Sequence, residues 1–120
     1  MNDFRGSKTT ISETYFSIIL EREVSRLALL FARVQLSGDP TREQYESLHS
    51  KMAGIGFSIR ITTANGTWEL PHATYAGTAY ANANMASDAV KKTADSVVAN
   101  SRVLVSSGAD WQANGLKKIQ

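Results

Sequence analysis

Polar and apolar residues alternate most strictly between Gly56 and Tyr75. Phe57, Ile59 and Ile61 are separated by Ser58, Arg60 and Thr62, a period of two that marks a strand with one buried face. Asn65-Gly66 follows, a pair suited to a type I′ turn, in which both central residues need positive φ. Trp68 and Leu70 resume the alternation, and Pro71, which has no amide hydrogen, ends the pairing or sits at an edge. A β-hairpin is expected here, and the other elements read as segments that pair with it or pack on it.

Upstream, residues 1–9 are polar and read as a tail. Thr10-Ile-Ser-Glu13 has the form of a capping box, with Ile11, Tyr15, Ile18 and Ile19 behind it at helical spacing. A short helix to about Glu23 competes with a strand through Tyr15 to Leu20, where β-branched and aromatic residues are dense. A central strand is expected from near Leu29 to Leu36, and Ser37-Gly38-Asp39-Pro40 turns the chain. Thr41 and Gln44 form a second capping box, and Tyr45, Leu48 and Met52 give the following helix an apolar stripe. Gly54 and Gly56 end that helix, one of them in a left-handed C′ position.

Downstream of the hairpin, Thr74 to Ala81 reads as a short or irregular strand with a loop. Asn82 to Asn84 offers an N-cap for a helix carrying Met85, Ala89, Val90, Ala94, Val97 and Val98, to about Asn100. Val103, Leu104 and Val105 predict a short buried strand. Gly108 to Gly115 is loop, and Leu116 and Ile119 cover an edge. The order strand, helix, hairpin, helix, strand predicts an α+β fold of the ferredoxin-like split βαββαβ type, with both helices on one face of an antiparallel sheet. Residues 28–120 make that domain, and residues 1–27 are an N-terminal extension.

Composition narrows the class without naming a function. A chain of 120 residues suits one domain with a modest core. There is no cysteine, which excludes disulfides and thiolate metal sites and fits a reducing compartment. No apolar run approaches the roughly 18–20 residues of a membrane span, and Met1 to Thr10 lacks the pattern of a signal peptide. A cytoplasmic protein without a membrane anchor is expected. The net charge of +2 permits a nucleic-acid partner without arguing for one.

Candidate chemistry is sparse. His49 and His72 are the two histidines, and no paired-ligand spacing accompanies them, so neither a metal nor another cofactor is expected. His49 follows core residue Leu48 on the first helix; it reads first as a solvated helix residue and second as a general acid–base group. His72, after Leu70-Pro71, reads first as a loop residue and second as a chemical group. Asp39 and Glu43 suit a helix N-terminus. Phosphate-loop, dinucleotide and nucleophile-elbow motifs are absent. Arg33, Arg60 and Phe31 fall on strands, and all three are expected on the sheet face away from the helices. Arginines and an aromatic on an open sheet hold single-stranded RNA by charge and stacking. The competing reading buries that face in a homodimer.

A family resemblance runs through the same elements. Leu30-Phe-Ala-Arg-Val-Gln-Leu36, Tyr45-Glu-Ser-Leu-His49-Ser-Lys-Met52, Gly56-Phe57, Ile61, Asn65-Gly66, Leu70-Pro71, Tyr75, Arg102-Val-Leu-Val-Ser106 and Trp111 resemble the GhoS-like family. These are small ferredoxin-like proteins of enterobacterial and prophage genomes. The founding member is a type V antitoxin that cleaves the messenger RNA of its toxin. The resemblance covers about residues 28 to 119 and implies an RNA-directed regulator, in its strongest form a metal-independent endoribonuclease. The family ties cleavage to an arginine on the first helix and an aromatic after the second strand. His49 stands at the arginine's place and Tyr75 at the aromatic's. His49 would then move a proton, Tyr75 stack on a base, and Arg33 and Arg60 hold phosphate. The alternative is a non-catalytic prophage accessory protein that binds itself or a host protein through the sheet face.

Overall fold

The computed structural model describes residues 28–120; the capping box at Thr10 to Glu13 and the element expected behind it lie outside the described residues. The described chain is α+β, with two helices and antiparallel strands. Strand β1, Leu30–Gln35, turns Leu30, Ala32 and Val34 into the core and Phe31, Arg33 and Gln35 to the opposite face. Its strict alternation is the period-two rule at work.

Helix α1, Arg42–Gly54, starts at N-cap Thr41. The Gln44 amide donates to Thr41 Oγ1 at 3.1 Å, and the Thr41 amide donates to Gln44 Oε1 at 2.8 Å. This reciprocal pair satisfies two donors that a helix start leaves unpaired. Leu48 and Met52 are its buried residues. The helix closes in a Schellman motif: Phe57 N donates to Met52 O at 2.9 Å and Gly56 N to Ala53 O at 3.1 Å. Gly56, at φ +94°, takes the left-handed C′ position, and a Cβ there would lie 2.6 Å from Ala79 Cβ. The motif delivers Phe57 straight from the helix end into the core, where it is 1% exposed.

Strands β2, Arg60–Thr63, and β3, Gly66–Glu69, form the hairpin, with Ile61 opposite Trp68 and Thr63 opposite Gly66. The two-residue connection is therefore Ala64-Asn65, one step earlier than the sequence suggests. Asn65 does not have positive φ, and Gly66 carries it at +137°. Thr63 explains the shift. Its Oγ1 accepts from the Asn65 amide at 3.2 Å and from Trp68 Nε1 at 3.1 Å. A threonine side chain that closes its own turn competes with the backbone turn that Asn-Gly favours.

Strand β4, Thr74–Gly77, pairs with β1 on one side, with Phe31 opposite Ala76 and Ala32 opposite Tyr75. On its other side Ser58 and Ala76 exchange both backbone bonds, at 2.8 and 2.9 Å, while Leu70 N donates to Ile59 O. Adjacent residues on one strand thus face Ala76 and Leu70, and the chain between these loops out. Pro71 starts the loop, Thr74 N donates back to Pro71 O, and buried Ala73 takes φ +60°. A left-handed alanine is strained by about 1–2 kcal/mol. Val34 N donates to its carbonyl at 3.1 Å and helps to hold it.

Helix α2, Ala83–Asp95, is capped by Asn82, whose Oδ1 accepts from Met85 N at 2.9 Å. It ends at Asp95, short of Asn100. Ala86, Val90 and Ala94 join Leu48, Met52, Phe57, Tyr75 and the inward residues of β1 in one core, so both helices pack on one face of the sheet. Strand β5, Arg102–Ser107, pairs with β1 and completes the order β4-β1-β5. It is an outer strand rather than a buried one: Val103 and Val105 are half-buried, and Leu104 is 69% exposed. With only one face against the core, an apolar run need not be buried throughout.

The C-terminal segment crosses the other face. Strand β6, Lys117–Lys118, extends the hairpin to the order β2-β3-β6. Leu116 and Trp111 pack with Ile61, Leu70, Ala76, Phe31 and Trp68 in a second apolar cluster.

Candidate functional site

His49 sits on α1 next to Leu48, which places it at the rim of the buried stripe, half-buried. Its Nδ1 lies 2.7 Å from the Tyr75 hydroxyl, with the rings 5.6 Å apart at 62°. Tyr75 points from β4 toward the helices and is 0% exposed. Burial first, and then the neighbouring Tyr45, push its phenol well above the ordinary range. The hydroxyl stays protonated near neutral pH, so it can donate to Nδ1 or accept from Nδ1–H. Burial is also the main cause that lowers the His49 pKa. The charge of His72 lowers it further, and Glu46 and Glu69 oppose the shift.

The expectation that Tyr75 stacks on a base is corrected by its burial: a ring with no exposed surface offers no face to a ligand. Its hydroxyl fixes His49 instead. The fold thus brings these two residues together as partners.

Arg60 and Arg33 do not share a face, contrary to expectation. The chain bends at Ile59, where the Arg60 amide donates to Ser58 Oγ at 3.0 Å. Phe57 and Ile59 face the helix-side core, but Ile61 enters the second cluster. The bend inverts the alternation, as a bulge does. Arg60 therefore lines a shallow groove of about 300 Å³ with His49, Ser50, Ala53, Ser58 and Ile59. Glu69 is its cross-strand neighbour. Arg33 is exposed on the far face, where β5 sets Leu104 opposite it. Phe31, on that face, is half-buried rather than open: the Trp111 ring meets it edge-on at 5.3 Å.

The contact between Tyr45 and His72 is not foreseen by the sequence reading. Tyr45, one helical turn earlier, packs its ring against His72 at 4.5 Å and 62°, and its hydroxyl accepts from Leu36 N at 3.4 Å. His72 rides on the loop between Pro71 and Ala73 and is exposed. The available signal was its position three residues before Tyr75. His49 thus joins Tyr75 through its hydrogen bond and Arg60 in the groove, Tyr45 and His72 pair one helical turn away, and Glu69 stands opposite Arg60 across the hairpin. The set offers two proton carriers, one cation and a fixed hydroxyl.

Among the described residues no group of three metal-ligating side chains comes together, and no helix is long and apolar enough to cross a membrane. Comparison with protein-family models, with curated proteins and with solved structures finds no match to this chain.

Proposed function

We propose that this protein is an RNA-directed regulator that cleaves single-stranded RNA without a metal ion, with His49 as its proton-transfer residue. The fold in this reading is the ferredoxin-like split βαββαβ arrangement. Support comes from the Ser58–Ala76 bridge, which joins the two sheets, and from β3 and β4 taken as one interrupted strand. The observation that carries the function is the His49–Tyr75 hydrogen bond beside Arg60. With Nδ1–H donating to the Tyr75 hydroxyl, Nε2 takes up and releases a proton while the ring keeps its orientation. Arg60 lines the same groove and supplies charge for a phosphate.

Binding of a short single-stranded RNA at two salt concentrations tests the reading. Affinity falls steeply with salt wherever cations meet phosphates. Arg60→Ala is expected to weaken binding and flatten the salt slope, and Arg33→Ala to do so less. Absence of binding at low salt overturns the proposal.

A second reading, a non-catalytic accessory protein that pairs with itself through the far face, is favoured by one observation. Leu104 stands 69% exposed beside Arg33, and an exposed apolar residue next to a partly covered aromatic cluster suits an interface. Light scattering at micromolar concentration that gives twice 13.1 kDa supports this pairing. The monomer mass counts against it.

A further inference from the structure

We propose that His72 is the second proton-transfer group of the site, paired with His49, and that the bond it helps to break is the phosphodiester of RNA attacked by its own 2′-hydroxyl. The inference rests on the reading of His49 given above.

Three features of geometry carry it. The loop that bears His72 leaves the neighbouring edge unpaired, because Leu70 and Ala76 bond to the adjacent residues Ile59 and Ser58, while Ala73 stays tied to β1 through Val34 N. Its backbone is held in a strained form: Ala73 is buried at φ +60°, although alanine gains nothing from that conformation. Strain at a position fixed from both sides, here by Val34 N to Ala73 O and Thr74 N to Pro71 O, marks a segment kept for what it presents. What it presents is His72, whose ring is seated on Tyr45, one turn from His49 on the same helix. Two imidazoles from distant parts of the chain are thereby oriented, one by a tyrosine hydroxyl and one by a tyrosine ring.

The electrostatics agree. Burial is the first cause that disfavours protonation of His49, and the charge of His72 adds to it, while Glu46 on α1 and Glu69 on β3 act the other way. Arg60 on β2 lies in the groove with His49.

The reaction balances without water, metal or redox partner. His49 Nε2 takes the proton of the 2′-hydroxyl, and O2′ forms a bond to phosphorus. The bond between phosphorus and O5′ breaks, and protonated His72 gives its proton to O5′. The products are a 2′,3′-cyclic phosphate and a 5′-hydroxyl. Arg60 offsets the negative charge that grows on the non-bridging oxygens. The substrate class follows: a strand without a 2′-hydroxyl cannot be cut.

The test uses oligonucleotides with a single ribonucleotide, carrying either the ordinary 5′-oxygen or a 5′-sulfur at the scissile bond, and an all-deoxy control. A thiolate leaves without protonation. His72→Ala is expected to slow cleavage of the oxygen substrate by about 10²–10⁴ and to cut the sulfur substrate within about tenfold of wild type. His49→Ala is expected to be slow on both, and the all-deoxy strand to stay intact. His72→Gln, which keeps a side chain on the loop, guards against a folding defect and is expected to behave like His72→Ala. If the His72 variants cut the oxygen substrate at the wild-type rate, or remain slow on the sulfur substrate, the assignment of His72 falls while that of His49 stands. Cleavage of the all-deoxy strand overturns the 2′-hydroxyl route. If the wild type cuts neither ribonucleotide substrate, both readings fall.

Discussion

Tyr75→Phe removes one oxygen and leaves the ring in its place in the core. The only hydrogen bond lost among the described residues is the one to His49 Nδ1, at 2.7 Å. A net hydrogen bond contributes about 0.5–1.5 kcal/mol, and an orphaned buried partner adds about 1–3 kcal/mol. The second cost is only partly incurred here, because the half-buried His49 ring can turn a nitrogen to water. The expected loss is therefore about 1–2 kcal/mol. Tyr75→Ala, which also empties the space of a ring with no solvent exposure, is expected to cost about 3–5 kcal/mol. Urea melts at pH 7.5 of wild type, Tyr75→Phe, His49→Ala and the double variant separate the bond from its surroundings. The cycle should give a coupling of about 1 kcal/mol, within the range for residues in contact, with an unchanged denaturant slope. If Tyr75→Phe melts like the wild type and the coupling is zero, the bond neither stabilises the fold nor fixes His49.

Phe57→Ala is expected to cost about 3–5 kcal/mol in denaturant melts, since Phe57 is buried in the helix-side core and stacks on Tyr80 with the rings 6.0 Å apart; a loss below about 1 kcal/mol would mean that the residue does not face that core. For pH, the folded pKa of His49 lies below its unfolded value of 6.5, so the unfolded chain binds the proton more tightly. The stability tied to neutral His49 is full above pH 6.5 and is lost as pH falls from there through the lower folded value. Melts between pH 7.5 and 5.5 should show a shallower decline for His49→Gln than for wild type, and parallel declines would refute the burial argument. Gly77→Ala should destabilise by about 1–3 kcal/mol through overpacking, because its Cβ would run into the Gly56 carbonyl oxygen and the backbone would have to move; a neutral melt would contradict that close approach.

Local rules in the sequence were sufficient for most of the elements. The Thr41/Gln44 box, a cap within Asn82 to Asn84 and a left-handed glycine at Gly54 or Gly56 each follow from a few adjacent residues, and the structure has the box, the cap at Asn82 and the glycine at Gly56. Rules that depend on partners were less legible. The hairpin turn moved one residue because Thr63 bonds both Asn65 and Trp68, and the second of these contacts lies across the strand pair. Arg60 changed face because a bend at Ile59 inverted a period of two that looks unbroken in the sequence. Val103 to Val105 reads as buried, but the outer place of β5 in the sheet order leaves Leu104 exposed. His49 and Tyr75 stand out in the sequence, yet the burial that changes Tyr75 from a stacking platform to a support depends on which face of β4 meets the helices. The contact of His72 with Tyr45 is not legible in the sequence, because it depends on the loop between Leu70 and Ala76, which the pairing of both residues with Ile59 and Ser58 sets out.

The most direct measurement is cleavage of an unstructured RNA by purified wild type and His49→Ala, with and without EDTA, beside a control for contaminating nuclease. General acid–base catalysis contributes about 10²–10⁴ in rate. The account predicts that the wild type cuts the RNA, that His49→Ala slows cutting by that factor, and that EDTA changes neither rate. Intact RNA with the wild type, or equal cutting by His49→Ala, would contradict it.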